Sequence, residues 1–239
     1  MLLILGSCVN TPVLQTKEPQ NDAATVNLQL GIGYIQAGRF DVAVEKLKKA
    51  LEYDDNLVEA HNALAILYEE TGESRLADLE YQNAIQKDPQ YVLARMNYGR
   101  FLCANGKANE GEGQFLLAST NPNIENPETA YSGAGICARI LGATNRAERY
   151  FRKALELNPF TESALLEMAS LMHQQGNELE ARQFLQRFHS RAGYIPASLW
   201  LGIDIERAAG NKQQRVEYER LLVSRFADSD EARRLTKSE

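Results

Sequence analysis

The chain has 239 residues, 44% of them apolar and 24% charged, with 26 basic against 32 acidic residues and a formal charge of −6. That composition fits a globular protein and excludes a disordered, collagen-like or disulfide-dense chain. No apolar run reaches the roughly 18 to 20 residues of a membrane-spanning helix, and the acidic balance leaves no surplus of cations to neutralise phosphates, so no nucleic-acid partner is expected.

In chain order, the first eight residues are an apolar run ending in Leu5-Gly6-Ser7-Cys8. Leu, two small residues and Cys resemble the lipobox of bacterial lipoproteins, in which a peptidase takes the small residues in extended form, cuts before the Cys, and the thiol and amine are acylated. No Lys or Arg precedes the motif and the apolar segment is shorter than a full signal peptide, so the start is expected to be truncated and residues 1–7 to be a signal-peptide remnant. The alternative is a chance cysteine in a polar tail. Val9 and Asn10 follow, with no Asp to favour retention at the inner membrane. The motif therefore implies lipidation at Cys8, a membrane held through the N-terminal lipid, and an address on the periplasmic face of the outer membrane. Residues 8–23, rich in Asn, Gln, Thr and Pro, are expected to form a lipidated flexible tether.

From residue 24 a period of 34 organises the chain. Gly38, Gly72, Gly106, Gly142, Gly176 and Gly210 mark it, with one interval of 36. Seven residues before them stand Gly31, Ala65, Gly99, Gly135 and Ala169, and five after them Ala43, Ala77, Gly111, Ala147 and Ala181. Small residues recur where two helices must approach closely. Nine residues after the marker comes a large apolar side chain (Leu47, Tyr81, Phe115, Phe151, Leu185), then Ala50, Ala84, Ala118 and Ala154, and Pro89 and Pro159 close two of the units. In the second unit Leu64, Leu67 and Tyr68 form a helical stripe, Thr71-Gly72-Glu73 breaks it, and Leu76, Ala77, Tyr81, Ala84 and Ile85 resume it. No segment alternates with period two, so no sheet is expected.

This order resembles the tetratricopeptide repeat, a helix-turn-helix unit of 34 residues. The resemblance implies an all-α right-handed superhelix of six repeats at 24–57, 58–91, 92–125, 128–161, 162–195 and 196–229, with a two-residue insertion at Asn126–Pro127 and a polar tail at 230–239. Each unit has an apolar face that only a neighbour can cover, and the sixth, with Arg215, Glu219 and Arg220 on its second helix, reads as a solvated cap.

The sequence offers no constellation for chemistry. His61, His173 and His189 stand far apart and outside any metal-ligand spacing, so no metal is expected and His61 reads as a partly buried structural side chain. No nucleophile elbow, phosphate loop or paired carboxylates are visible; Asp54-Asp55 and Glu69-Glu70 read as solvated turns. No cofactor, small-molecule substrate or enzymatic activity is expected.

In repeat arrays of this kind the first helix of each unit lines the inner surface. Carried onto this chain, that rule selects Leu28, Ile32 and Ile35 in the first repeat, Ile66 in the second, and Leu93 and Met96 in the third as an apolar groove for an extended or helical partner segment. Polar positions selected with them include Gln36, Asn62, Glu69, Glu70, Arg100 and Arg139. Covering about 300 Å² of such surface contributes on the order of 7 kcal/mol before ordering costs. The competing reading is that part of this stripe packs against the chain itself. Cys103 and Cys137 lie on the first helices of adjacent repeats and are expected to pair as a disulfide, with two buried thiols as the alternative.

A lipobox followed by six such repeats is similar to the type IV pilus biogenesis lipoproteins called PilF or PilW, the pilotins of the pilus secretin. The matching segments are Leu5–Cys8, Leu30–Tyr34 with Gly38, Asn97–Leu102, Leu166–Ala169 and Leu201–Ile203. That resemblance implies a non-enzymatic protein that binds secretin subunits and promotes their localisation and multimerisation. Two other readings stay open: a lipoprotein scaffold for another envelope-assembly complex, and a soluble adaptor in which Cys8 is incidental.

Overall fold

The computed structural model describes residues 18–237. Cys8, the lipobox and the expected tether up to residue 17 lie outside the described residues, whereas residues 18–23, expected in the tether, are helical and open the first helix. The described chain is all helical and forms two compact units, one ending at Pro89 and one beginning at Gln90.

The first unit holds α1 (Glu18–Gln36), α2 (Phe40–Tyr53), α3 (Val58–Glu70) and α4 (Ser74–Lys87). Each pair is folded back by a tight turn, of which 71–73 is representative. Gly72 has φ 80°, a conformation that side chains with a Cβ rarely adopt. It lets the Glu73 N–H donate to Tyr68 O at 2.7 Å while the Gly72 N–H reaches Glu69 O at 3.2 Å, so carbonyls at the end of α3 find partners. The returning helix buries the residues that the period placed in step: Ala43, Leu47 and Ala50 on α2, and Ala77, Tyr81 and Ala84 on α4, all fully buried. Pro89 forces an extended conformation on Asp88, φ −134° and ψ 98°. Asp54 adopts nearly the same geometry with no proline after it, φ −144° and ψ 101°. Its carboxylate accepts from the Asn56 N–H at 3.0 Å, a local turn bond that replaces the proline's constraint.

The second unit holds α5 (Val92–Ala104), α6 (Ala108–Ser119), α7 (Pro127–Ile140), α8 (Thr144–Leu157), α9 (Glu162–Gln174), α10 (Glu178–Ala192), α11 (Pro196–Ala208), α12 (Lys212–Arg225) and α13 (Asp230–Lys237). Close approach governs the α7–α8 pair: a Cβ on Gly135 would sit 2.4 Å from the Phe151 ring. The loop around the two-residue insertion is anchored rather than loose. Asn121, nearly buried, donates to both the backbone and side-chain oxygens of Gln90 at 3.1 and 2.9 Å, and its own oxygen accepts from the Asn123 N–H at 2.8 Å.

The C-terminal stretch departs from the sequence reading. Residues 230–239 were expected as a polar tail and the sixth repeat as a solvated cap; instead α13 covers α11 and α12, with Ala232 and Leu235 joining Leu199, Ile203, Tyr218, Leu221 and Leu222 in one core cluster. Two apolar side chains three residues apart suffice, because they share one face of a helix whose remaining positions are polar.

Candidate functional site

In the first unit the residues singled out for partner binding separate into surface and core. Ile32 on α1 is 39% exposed, and Ile35 on α1 and Ile66 on α3 are half-buried. Leu28 is a correction: only 9% of it is exposed, and with Ala24 it belongs to the side of α1 that packs inward, so no ligand can bury against it. Gln36 and Glu70 are exposed, Glu69 is half-buried and accepts from the Tyr81 hydroxyl at 3.1 Å, and Asn62 is buried. The surface around Ile32 is thus apolar with a polar rim.

In the second unit Leu93 is 52% exposed on α5, whereas Met96, also on α5, leans onto the cluster of Cys103, Ala108, Phe115, Ala134 and Cys137. Met96 is a second correction, since much of its side chain serves the core. Cys103 and Cys137 are joined, their Cα atoms 5.5 Å apart and their positions one period of 34 residues apart. Further along, Arg139 on α7 pairs with Glu167 on α9 at 2.7 Å. Burial pushes the Glu167 carboxyl up, and the Arg139 guanidinium opposes that shift.

Several polar groups inside the two units are matched to one another. His61 places Nδ1 2.6 Å from Glu80 Oε2 and Nε2 3.3 Å from the Asp55 carbonyl, which fits its structural reading. Asp55 is exposed and pairs with Lys87 at 2.9 Å, and that ammonium holds its carboxyl below the ordinary value. Two buried carboxylates were not anticipated. Glu112 accepts from the Tyr150 hydroxyl at 2.9 Å and faces Arg146 at 3.0 Å; Glu206, only 1% exposed, is gripped by Arg182 through two bonds of 2.6 Å. A signal for the second lay in the period itself, because Glu206 stands where the other repeats place Tyr, Leu, Ala or Met. Beside this pair His189 lies 3.0 Å from the Ser198 hydroxyl and against the rings of Tyr194 and Tyr218. Burial lowers its pKa to about 4, so it is neutral near pH 7. Among the described residues no group of three His, Cys, Asp or Glu side chains is placed to hold a metal ion. What the geometry offers is apolar surface on helices held by a rigid core, suited to protein contacts.

Paired helices repeating every 34 residues, each pair turned by a glycine, define a tetratricopeptide repeat protein. Family models agree: one described as TPR repeat matches residues 33–72 and one described as tetratricopeptide repeat matches residues 129–161. The type IV pilus assembly protein PilF of Pseudomonas aeruginosa is 31% identical over 205 residues, covering 86% of this chain and 81% of that protein. A solved structure described as a functional characterisation of Pseudomonas aeruginosa PilF superposes with a TM-score of 0.79 at 29% identity, over 92% of this chain and all of that one. The crystal structure of PilW, described as a widely conserved type IV pilus biogenesis factor, gives 0.81 at 26% identity, over 90% of this chain and 99% of that one. The chain belongs to the PilF family of type IV pilus tetratricopeptide repeat proteins.

Proposed function

We propose that this protein acts in type IV pilus biogenesis as a non-enzymatic pilotin: it binds subunits of the pilus secretin and promotes their localisation to the outer membrane and their multimerisation there. The observation that carries this reading is the match to PilF along 86% of the chain, in a fold that presents helix surfaces to protein partners. Acylation of Cys8 would supply the address on the periplasmic face of the outer membrane. The apolar surface around Ile32, Ile35 and Ile66 of the first unit would take an apolar segment of the secretin. An oxidising periplasm would keep Cys103 and Cys137 paired. Deleting the gene tests the proposal: secretin multimers, followed on a gel that preserves them, should be lost from the outer membrane and return with the native chain but not with Cys8→Ser. Normal multimers in the outer membrane of the deletion strain would refute it.

A further inference from the structure

The side of α1 opposite its buried face carries a stripe that the other described residues leave open. Val26, Gln29, Leu30, Gly33, Tyr34 and Ala37 line a shallow depression of about 370 Å³ there. Val26 is 52% and Leu30 44% exposed. Their counterparts one period later, Ala60 and Leu64, are buried within the first unit, where α1 and α2 pack against α3. The stripe is therefore a stacking face on which none of the described residues is stacked. Gly33 sharpens the point. On the same helix Gly31 has a reason, since a Cβ there would lie 2.6 Å from Leu47, whereas a Cβ on Gly33 would meet nothing within 4 Å. A glycine inside a helix weakens it, and among the described residues no packing contact compensates.

The order of sizes along the stripe names its occupant. In an antiparallel helix pair related by a two-fold axis between residues 31 and 32, Leu30 of one copy falls opposite Gly33 of the other, Val26 opposite Ala37, and Gln29 opposite Tyr34. Large meets small at both apolar pairs. No charged residue occurs from Ala23 to Gly38, so the crossing brings no like charges together. The ends complement each other as well: exposed Asp22 begins the stripe and Arg39, its guanidinium 5.0 Å from the centre of the Tyr34 ring, ends it, which sets each Asp22 close to the other copy's Arg39. In the last repeat, by contrast, α13 covers Tyr218, Leu221 and Leu222. Association through α1 is consequently isologous and stops at two copies.

We propose that this side of α1 is a self-association surface, on which two copies pair antiparallel with Leu30 of each seated over Gly33 of the other. Six lining residues a side, against the roughly 20 to 30 of a standard stable interface, make it a weak dimer. Sedimentation equilibrium of the full chain from about 10 µM to about 1 mM should show a monomer–dimer equilibrium. Gly33→Leu fills the receiving hollow at an exposed position; it should leave the fold intact and weaken dimerisation at least tenfold, and Leu30→Gly/Gly33→Leu, which exchanges knob and hollow, should restore it. Register is read separately in a Cys8→Ser background, where Val26→Cys mixed with Ala37→Cys should give the disulfide-linked heterodimer in preference to either homodimer. A monomer throughout, association indifferent to Gly33→Leu, or a Val26→Cys homodimer formed as readily as the heterodimer with Ala37→Cys would each overturn the proposal.

Discussion

The first and last helix pairs follow one plan and finish differently. On α1 the stacking positions carry Val26, Leu30 and Tyr34, and the first two are half exposed; on α11 the same positions carry Ser198, Gly202 and Glu206, all buried. The uncovered helix is apolar and the covered one holds a carboxylate. The contrast separates pattern from environment: a 34-residue repeat sets which side of a helix faces its neighbour, but only a neighbour that is present takes that side out of water. Where one is present, a charge survives burial because Arg182 on α10 meets Glu206 with two short bonds.

Arg182→Ala strands the Glu206 carboxylate in the interior and should destabilise the fold by about 3–5 kcal/mol in chemical denaturation, while Arg182→Ala/Glu206→Leu should recover much of the loss. A second test uses one side chain in two settings. Leu64→Ala, at a site 1% exposed, should cost about 2–5 kcal/mol, and Leu30→Ala, at the matching open position, should cost less than about 1 kcal/mol; similar costs would mean that the α1 face is covered after all. The third is confined to the covered region. Because burial holds His189 at about 4 in the folded state against 6.5 in the unfolded chain, the unfolded form takes up the proton first as pH falls. The contribution of neutral His189 is thus complete above about pH 6.5 and is lost toward pH 4, amounting to about 2 kcal/mol between pH 7 and pH 5. His189→Leu should flatten the dependence of the denaturation midpoint in that window by this amount, and an unchanged slope would place the cause in other groups.

Much of the fold was legible because helix packing repeats chemically. Turn glycines, the small residues at the crossing of each pair and the large apolar side chain nine positions after the marker are dictated locally, and each recurs. The surface was harder to read. α1 carries apolar side chains on nearly every side, so no stripe in the sequence distinguishes buried Leu28 from exposed Ile32 and Leu30; that distinction depends on which helices are present to cover it. Closure by α13 was hidden for the opposite reason, since Ala232 and Leu235 are two apolar residues in a polar stretch. Burial of Glu112 and Glu206 was not legible because their partners lie on other helices, Tyr150 38 residues from Glu112 and Arg182 24 residues from Glu206.

The proposed binding of the secretin by the early-repeat surface is measured directly with purified secretin subunits, this chain and its Ile32→Glu variant. Ile32 is exposed, so the variant should keep the helical content and melting behaviour of the native chain. The account predicts secretin binding weakened at least tenfold in the folded variant; binding equal to that of the native chain would contradict it.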